Sequence, residues 1–499
     1  MTAETWEGVT RPSVRGQHAG ALDRWSLFTG LWGWVLLMHQ ATFDKWQHSP
    51  LGWAICALAM SLVLFPRSLP LFWATVVVDA AYAFQCLPET ANHLVFEGLV
   101  CLAWAYTFGV NAVVALWRGK GLRSLGSREA GAPHPLEGTR TPLKVALLLV
   151  YWLSVLHKLN YDFVNPDTSC ASYMYRRVSE ALPFFPHTVW AEYLSIWGTL
   201  LAEAALPVLL LWRRTWQLGL VAALSFHLML AFDPTPGIYS FTGLLFALFI
   251  LVLPDTFVAA ALERLNVFVE RVGRRRLLAV RIGGLLLMAG ILGYGATRAD
   301  GWAFQPTFVL FLVWATLVIT GYLVTLFGMP QPEGRASAPA APPKPERPAL
   351  ATPAWLWVLP CVVLLNGLNP YLGLRTQLSF SMFSNLRTEG GISNHLFMPR
   401  LLSLGHYQED LVEIVESDDP DLAAYHQAQL LLPYFEFRRI VSGLTDITVT
   451  YLRGGTEHTF QCRGGSCNDA ELAEPYSRLM SRLLFFRPID KGPHMLCRH

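Results

Sequence analysis

Apolar runs of membrane-spanning length recur along the chain, separated by Pro, Gly or charged residues. An α-helix needs about 20 mostly apolar residues to cross the hydrocarbon layer of a bilayer. Measured against that length, the pattern predicts about eleven spans. They begin near Trp25, Leu51, Leu69, Asn92, Leu143, Val189, Thr215, Gly237, Leu277, Phe304 and Ala354. We therefore predict an all-α polytopic membrane protein, in which the tight turn at residues 233–237 joins the seventh and eighth spans.

The pattern changes to mixed polarity after residue 374. A helix is predicted near residues 418–432, and the alternating run at 446–452, followed by two glycines, predicts a strand and a turn. Roughly 125 residues are enough to bury a modest core. Residues 375–499 are therefore predicted to form a small C-terminal extramembrane α+β domain.

The remaining boundaries follow from composition. The Pro- and Ala-rich residues 329–353 are predicted to be an extended linker before a last span at 354–374. Residues 1–24 are polar and are followed by a full-length apolar run without a convincing cleavage site, so we expect a retained first span rather than a signal peptide. Residues 25–254 form the first membrane domain, and residues 255–328 add further membrane helices.

The overall composition excludes a soluble globular protein. Hydrophobic residues make up 53% of the chain and charged residues only 15%, whereas soluble domains are about 25% charged. A formal net charge of +2 gives no indication of a nucleic-acid partner. The lipid bilayer is the partner that the composition does indicate.

The positions of Lys and Arg predict the orientation. If the N-terminus is cytoplasmic, the outside connections hold only Lys45, Arg176, Arg177 and Arg298, and the inside connections hold most of the other basic residues. Positively charged loops usually stay in the cytoplasm. The sequence thus predicts a plasma (inner) membrane protein with an odd number of spans and an external C-terminal domain.

The eight cysteines predict one disulfide. Cys462 and Cys467 bracket a short Gly-rich turn on the predicted external side, where a disulfide can persist. A metal half-site is the less favoured alternative because no second ligand pair is spaced nearby, so no metal is indicated. Cys86 and Cys170 both lie at predicted outer ends, and their pairing is left open.

Ionisable residues inside apolar spans are costly to bury and are therefore candidate functional groups. The candidates are Asp79, His93, Glu97, Lys158, Glu203, His227 and Asp233. His93, Lys158 and His227 are predicted to meet at the outer leaflet. Asp162 would share a helix face with Lys158 if the helix continued that far. The deeper acids Asp79, Glu97 and Glu203 are expected to satisfy one another or nearby hydroxyls.

Each of these residues also has a structural interpretation. Lys158 can extend its amine to the lipid headgroups, and His227 can form a helix–helix hydrogen bond. However, the polar insertion after Lys158, with Asn160 and Asp162, is more than such a Lys requires. A desolvated Lys amine is free to accept a proton, and a neighbouring His can stabilise the anion that forms.

Several short segments resemble a known family. Residues 157–163, HKLNYDF, resemble the KKLDADW stretch of vitamin K-dependent γ-carboxylases, and residues 165–170, NPDTSC, resemble their bacterial relatives with a horizontally transferred transmembrane (HTTM) domain. Asn92-His93 is similar to the Asn-His pair of the carboxylases, and Phe226-His227 with residues 237–254 is similar to a later segment. Residues 369–376 and 380–386 resemble another stretch of bacterial HTTM proteins. The order is the same, and the likeness to the carboxylases covers residues 25–254.

The resemblance implies roles for particular residues. Lys158 would deprotonate reduced vitamin K or another membrane quinone in its reduced form, with His93 and His227 as assisting groups. We expect Asn92, Asn160, Asp162 and Asp233 to contribute binding contacts. The implied reaction is oxygenation of a hydroquinone to an epoxide, which yields a base strong enough to start carboxylation of a glutamyl side chain.

The chain also departs from the family. His157 and Asn160 replace a Lys and an Asp, and residues 377–499 stand in place of the large external domain of the animal enzymes. A quinone-linked oxygenase or carboxylase acting on a secreted peptide or a small substrate is the first hypothesis. A non-enzymatic membrane factor for maturation or export of a secreted peptide is the alternative, and a transporter is disfavoured because no internal repeat is found.

Overall fold

The computed structural model describes residues 22–498 except 120–133, 183, 234, 236, 296–303, 330–352 and 399–401. Nearly all of the predicted N-terminal segment and of the predicted linker lies outside the described residues, as do Pro234 and Pro236 of the predicted turn. The described chain is mostly helical and ends in a small sheet.

Fourteen α-helices precede the sheet within the described residues. They are α1 Arg24–Thr42, α2 Pro50–Leu64, α3 Leu69–Cys86, α4 Asn92–Trp117, α5 Arg140–Lys158, α6 Tyr161–Val164, α7 Cys170–Ala181, α8 Val189–Leu211, α9 Trp216–Ala231, α10 Ile238–Val252, α11 Asp255–Val272, α12 Arg274–Gly295, α13 Phe304–Phe327 and α14 Val358–Leu372. Several start at a side-chain cap, since Asp23, Ser49 and Thr188 accept hydrogen bonds from the first turns of α1, α2 and α8.

Seven helices of the described chain are long and apolar enough to cross a membrane. They are α3, α4, α5, α8, α12, α13 and α14, and an eighth span results if α10 and α11, which meet at 108°, are one broken span. The predicted count of about eleven is not confirmed, although each predicted start lies within a few residues of a helix start. The helices α2 and α9 are apolar but have only 15 and 16 residues, which is about 23 Å at 1.5 Å per residue.

The core of the membrane part is built around α1 and α10. Nearly every residue of α10 is buried, as expected for a helix that is apolar on all sides. Helix α1 packs against α2 and α10. Its residues Trp25, Phe28 and Trp32 form an aromatic cluster with Phe72 and Trp104. This packing fixes the other end of α1, where His39 lies, against the start of α10.

The C-terminal domain is the predicted small α+β unit. Its strands are β1 Leu411–Ser417, β2 Leu430–Pro433, β3 Ile447–Arg453, β4 Thr456–Arg463, β5 Ser466–Cys467 and β6 Ile489–Asp490, in the antiparallel order β5-β4-β3-β1-β2-β6. Four short helices, α15 Pro420–Gln427, α16 Tyr434–Val441, α17 Ala470–Ala473 and α18 Arg478–Leu483, accompany the sheet. The predicted strand at 446–452 agrees with β3. The predicted helix at 418–432 extends too far, because the chain turns into β2 after Gln427.

Two disulfides are present. One joins Cys462 to Cys467 across the β4–β5 hairpin, and the other joins Cys170, at the start of α7, to Cys497 near the C-terminus. The open alternative of a Cys86–Cys170 disulfide is wrong, because Cys86 is a free thiol. The second disulfide spans 327 residues of sequence, a separation that no local pattern reveals.

Counting reactive thiols tests this arrangement. In denaturant without reductant, a thiol-alkylating reagent should add four groups to the wild-type chain, on Cys56, Cys86, Cys101 and Cys361. After reduction it should add eight, since the chain has eight cysteines. Intact-mass spectrometry gives both counts. The Cys170→Ser variant should react at five sites because Cys497 becomes free, and four sites in that variant would contradict the Cys170–Cys497 pairing.

Candidate functional site

A cavity of about 530 Å³ opens among α4, α5, α7, α8, α9 and α10. Its walls are mainly apolar, with Leu147, Val178, Leu194, Phe226 and Phe241 among the residues that line it. Cavities of about 300–1,000 Å³ with apolar walls and a few polar groups are typical of small-molecule sites. The volume and the walls therefore suit a lipophilic ligand.

The cavity gathers most of the predicted site residues. Lys158, His93, His227, Asn92 and Asp233 all line it. Asn160 and Asp162 are not among the described residues of its wall, but Glu203 is. The three basic candidates, which lie on α4, α5 and α9, thus face one shared space.

Lys158 is the last residue of α5 and forms a buried ion pair with Glu203 of α8. Its Nζ atom lies 2.9 Å from Oε1 and 2.7 Å from Oε2 of Glu203, and it donates to Ser154 Oγ at 2.5 Å. Ser154 in turn donates to Glu203 at 3.1 Å. Lys158 is only 4% exposed. The expected partner of Glu203 was another acid or a hydroxyl, and the hydroxyl contact exists, but Lys158 is its charged partner.

Asp162 does not share a face with Lys158, because α5 ends at Lys158 and the chain starts a new short helix, α6. The Asp162 carboxylate accepts from Asn394 Nδ2 at 2.7 Å and from Met495 N at 3.0 Å, and it lies 2.9 Å from His494 Nδ1. These partners belong to the C-terminal part of the chain. Asp162 therefore fastens the C-terminal tail beside the Cys170–Cys497 disulfide.

Asn160 caps α6 and supports the segment of residues 378–385, which we call the cavity loop. Its Oδ1 accepts from Phe163 N at 2.8 Å, and its Nδ2 donates to Ser384 O at 2.6 Å. Asn92 accepts from Phe380 N at 2.6 Å. Both residues were predicted to bind ligand, but in the structure their amides hold backbone atoms of the cavity loop.

The cavity loop has an unusual backbone. Leu378, Phe380, Phe383 and Asn385 have φ values of 60°, 60°, 54° and 54°, in a region that non-glycine residues rarely adopt. Such strain persists only where surrounding contacts impose it, and it is common at binding sites. The side chains of Phe380 and Phe383 line the cavity. Sequence reasoning assigned these two residues no role in the site.

His227 links α9 to α5. Its Nε2 atom lies 2.6 Å from Tyr151 Oη, which is the type of helix–helix contact that its position in an apolar helix suggested. Its Nδ1 atom is buried and has no hydrogen-bond partner among the described residues. His227 lines the cavity, but this nitrogen is itself covered by neighbouring atoms, so a ligand reaches it only if the side chains that cover it shift.

His93 stands at the first turn of α4 beside the start of α10. Its Nε2 atom lies 3.1 Å from Ser240 Oγ, and its Nδ1 atom has no hydrogen-bond partner among the described residues. Gly237, just before α10, has a φ of +97°, and a Cβ atom there would lie 2.7 Å from Phe43 Cζ. Only glycine fits this turn without strain, and the turn brings Ser240 to His93.

The remaining acidic candidates have other partners. Glu97 of α4 lies 2.9 Å from His39 Nδ1 and accepts from Trp32 Nε1 at 2.5 Å. Asp79 of α3 is buried beside Cys101. Asp233 is buried, accepts from Thr235 N at 2.8 Å and lies 3.9 Å from Arg177 Nη1. Of these, only Asp233 is among the described residues that line the cavity.

One wall of the cavity reaches the outer surface of the helix bundle. Leu194 of α8 and Met229 of α9 line the cavity and are nevertheless 61% and 55% exposed. Both side chains are apolar, and both helices are rich in exposed apolar residues, as expected for surfaces that face lipid. The cavity therefore meets the apolar surface between α8 and α9.

No group of three or more His, Cys, Asp or Glu side chains suited to a metal ion occurs in the described part of the chain. Comparisons with protein-family models, with curated proteins and with solved structures gave no significant match. The cavity is therefore the main indication of function.

Proposed function

We propose that this chain is a membrane enzyme that binds a lipophilic hydroquinone in the cavity and removes a proton from it with the Lys158–Glu203 pair. The observation that carries the proposal is the placement of a buried ion pair, with two histidines that each have an unpartnered nitrogen, in the wall of one apolar cavity. A ligand with an apolar body and an acidic hydroxyl matches such a wall.

The ion pair is suited to accept a proton. Lys158 and Glu203 can exist as ammonium and carboxylate or as amine and carboxylic acid, with the same total number of protons. An apolar ligand excludes water, and loss of hydration disfavours the charged arrangement. The amine then accepts the hydroxyl proton, so one O–H bond breaks and one N–H bond forms. The resulting ammonium lies beside the anion that it has created.

The histidines complete the polar part of the site. Their Nδ1 atoms are covered by neighbouring atoms. Once the ligand displaces the covering side chains, these atoms can accept or share a hydrogen bond with a second polar group of the ligand, such as the other hydroxyl of a hydroquinone. A hydroquinone dissolved in the membrane would enter between α8 and α9, past Leu194 and Met229. This route requires no passage through water.

The resemblance to vitamin K-dependent γ-carboxylases gives the proposal its chemical class. On that basis the chain is a bacterial HTTM-family protein of the plasma (inner) membrane, and the reaction is oxygenation of reduced vitamin K or a related quinol at the outer leaflet. The base formed in that reaction would act on a secreted peptide or a small substrate that approaches from the external side. The C-terminal domain, on the predicted external side, would be the first part such a substrate meets.

Binding of a hydroquinone probe tests the proposal. We expect the hydroquinone of 2-methyl-1,4-naphthoquinone to bind saturably to the protein in lipid nanodiscs under anaerobic conditions, measured by quenching of tryptophan fluorescence. Gly198→Trp should lower the affinity at least tenfold, because Gly198 lines the cavity and a side chain there meets open space.

Gly109→Trp is the matched control. Gly109 is also an exposed helical glycine with open space around it, but it lies on α4 away from the described cavity wall. Its replacement should leave the affinity unchanged. Absence of saturable binding to the wild-type protein, or equal losses in the two variants, would refute the proposed site.

A further inference from the structure

Ser240 contacts two histidines, His93 of α4 and His39 of α1, at the α4 side of the cavity. It lies in the first turn of α10 and is fully buried. Its hydroxyl lies 3.1 Å from His93 Nε2, and its carbonyl oxygen lies 3.3 Å from His39 Nε2. Ser240 is not among the described residues of the cavity wall, so any effect on a ligand must pass through His93.

The hydroxyl of Ser240 determines which nitrogen of His93 carries the proton. A serine hydroxyl has one proton, and the Ser240 Oγ–H group donates it to Gly237 O at 3.0 Å. Both contacts are satisfied only if His93 Nε2 is the donor and Ser240 Oγ is the acceptor. A neutral imidazole has one N–H group, so the Nδ1 atom of His93 then carries a lone pair. That atom belongs to a residue of the cavity wall and has no partner among the described residues, and it is itself covered, so a ligand hydroxyl reaches it only with a shift of the side chains that cover it.

His39 and Glu97 hold Ser240 from the other side. The carbonyl oxygen of Ser240 can only accept, so His39 Nε2 carries a proton and donates it there. His39 Nδ1 lies 2.9 Å from Glu97 Oε2, and Trp32 Nε1 fixes the other carboxylate oxygen. These residues are almost completely buried. The buried contact between His39 and Glu97 therefore helps to keep the first turn of α10 against His93.

We propose that Ser240 is a positioning residue that fixes the Nε2–H tautomer of His93 and leaves Nδ1 as a hydrogen-bond acceptor for a hydroxyl of the cavity's ligand. This inference rests on the proposed function and adds a second acceptor, at a distance from the Lys158–Glu203 pair, to the polar groups of the site. An acceptor at this point favours a ligand with a hydroxyl over the oxidised form with a carbonyl, because two acceptors facing each other form no hydrogen bond.

The tautomer can be observed directly. In protein labelled with ¹⁵N histidine, the nitrogen spectrum distinguishes N–H from unprotonated ring nitrogens, and His93→Gln identifies the His93 signals by their loss. We expect wild-type His93 to carry its proton on Nε2. Ser240→Ala should give a mixture of tautomers or the Nδ1–H form, and Ser240→Thr, which keeps the hydroxyl, should restore the wild-type spectrum.

Ligand discrimination gives the second readout. We expect the ratio of affinities for the hydroquinone and quinone forms of 2-methyl-1,4-naphthoquinone to fall about tenfold in Ser240→Ala and to stay at the wild-type value in Ser240→Thr. Thr242→Val is the control for loss of a buried hydroxyl on α10, because Thr242 donates to His227 O and Ile238 O and is not bonded to His93 in the described structure. Its spectrum for His93 and its affinity ratio should be unchanged.

The outcomes separate the two proposals. If neither form of the probe binds to the wild-type protein, the proposed function fails, and the ligand contact inferred for Nδ1 fails with it. If both forms bind but Ser240→Ala changes neither the His93 tautomer nor the affinity ratio, the role of Ser240 is refuted while the proposed function stands.

Discussion

Lys158→Met is expected to lower the rate of hydroquinone turnover by about 10²–10⁴-fold, the range typical for loss of a general base. The amine of Lys158 is the only part of this side chain that can accept a proton, and methionine fills nearly the same volume without it. The affinity for the hydroquinone should change much less, because the apolar cavity walls remain. Chromatography with mass spectrometry should measure oxygen-dependent loss of the probe and any epoxide that forms.

The matched control for this variant is Lys45→Met. Lys45 lies between α1 and α2 and pairs with Glu89 at 3.0 Å, as Lys158 pairs with Glu203. However, it is exposed and is not among the described residues of the cavity wall. Turnover by Lys45→Met should equal that of the wild type. If Lys158→Met folds, binds the probe and turns it over at the same rate, Lys158 is not the base and the proposed role of the Lys158–Glu203 pair is refuted.

The polar candidates could be found from sequence because they interrupt apolar helices. His93, Lys158 and His227 each stand in a predicted span, and the cost of burying them was reason enough to single them out. Their partners could not be found in the same way. Glu203 meets Lys158 because of the rotation and packing of α5 against α8, which hydrophobic periodicity leaves undetermined. Glu203 was therefore grouped with acids that it does not contact.

The polar insertion after Lys158 was singled out as unusual, and in the structure its residues Asn160 and Asp162 have protein partners. The helix stops at Lys158, and Asn160 caps the short helix α6. An Asn before a short apolar run is a recognisable capping signal, and it could have ended the predicted helix earlier. The partners of Asn160 and Asp162 lie more than 200 residues away, so their structural roles depend on tertiary contacts alone.

The part of the cavity wall formed by the cavity loop was not predicted, because this loop comes from another part of the chain. The cavity loop follows α14, yet it lies over α5 and α4 because side chains of those helices and of Asn160, the cap of α6, bind its backbone. His157 Nε2 lies 3.1 Å from Ser379 O, alongside the contacts of Asn92 and Asn160. No periodic pattern marks such a loop. The resemblance of residues 380–386 to bacterial HTTM proteins was its only sequence signal.

Breaking the Lys158–Glu203 pair from one side is expected to destabilise the fold by about 3–5 kcal/mol, because a buried charge is left without its partner. Lys158→Met and Glu203→Met should each show this loss in the free energy of unfolding, measured by chemical denaturation in detergent micelles. The double variant should recover most of it, since both charges and their desolvation costs are removed together. It should remain inactive, which separates the contribution of the pair to folding from its role in proton removal.

The surface pair Arg176–Glu192 provides the reference cycle. Its atoms are 2.7 Å apart, as in the buried pair, but the Arg176 side chain is 45% exposed, and such pairs contribute about 0–1 kcal/mol. A double-mutant cycle should therefore give a coupling energy of about 2 kcal/mol or more for Lys158–Glu203 and less than about 1 kcal/mol for Arg176–Glu192. Equal coupling energies would mean that the pair in the cavity is well hydrated. The charged arrangement would then be no harder to maintain there than at the surface, and exclusion of water by an apolar ligand would not free the Lys158 amine to accept a proton.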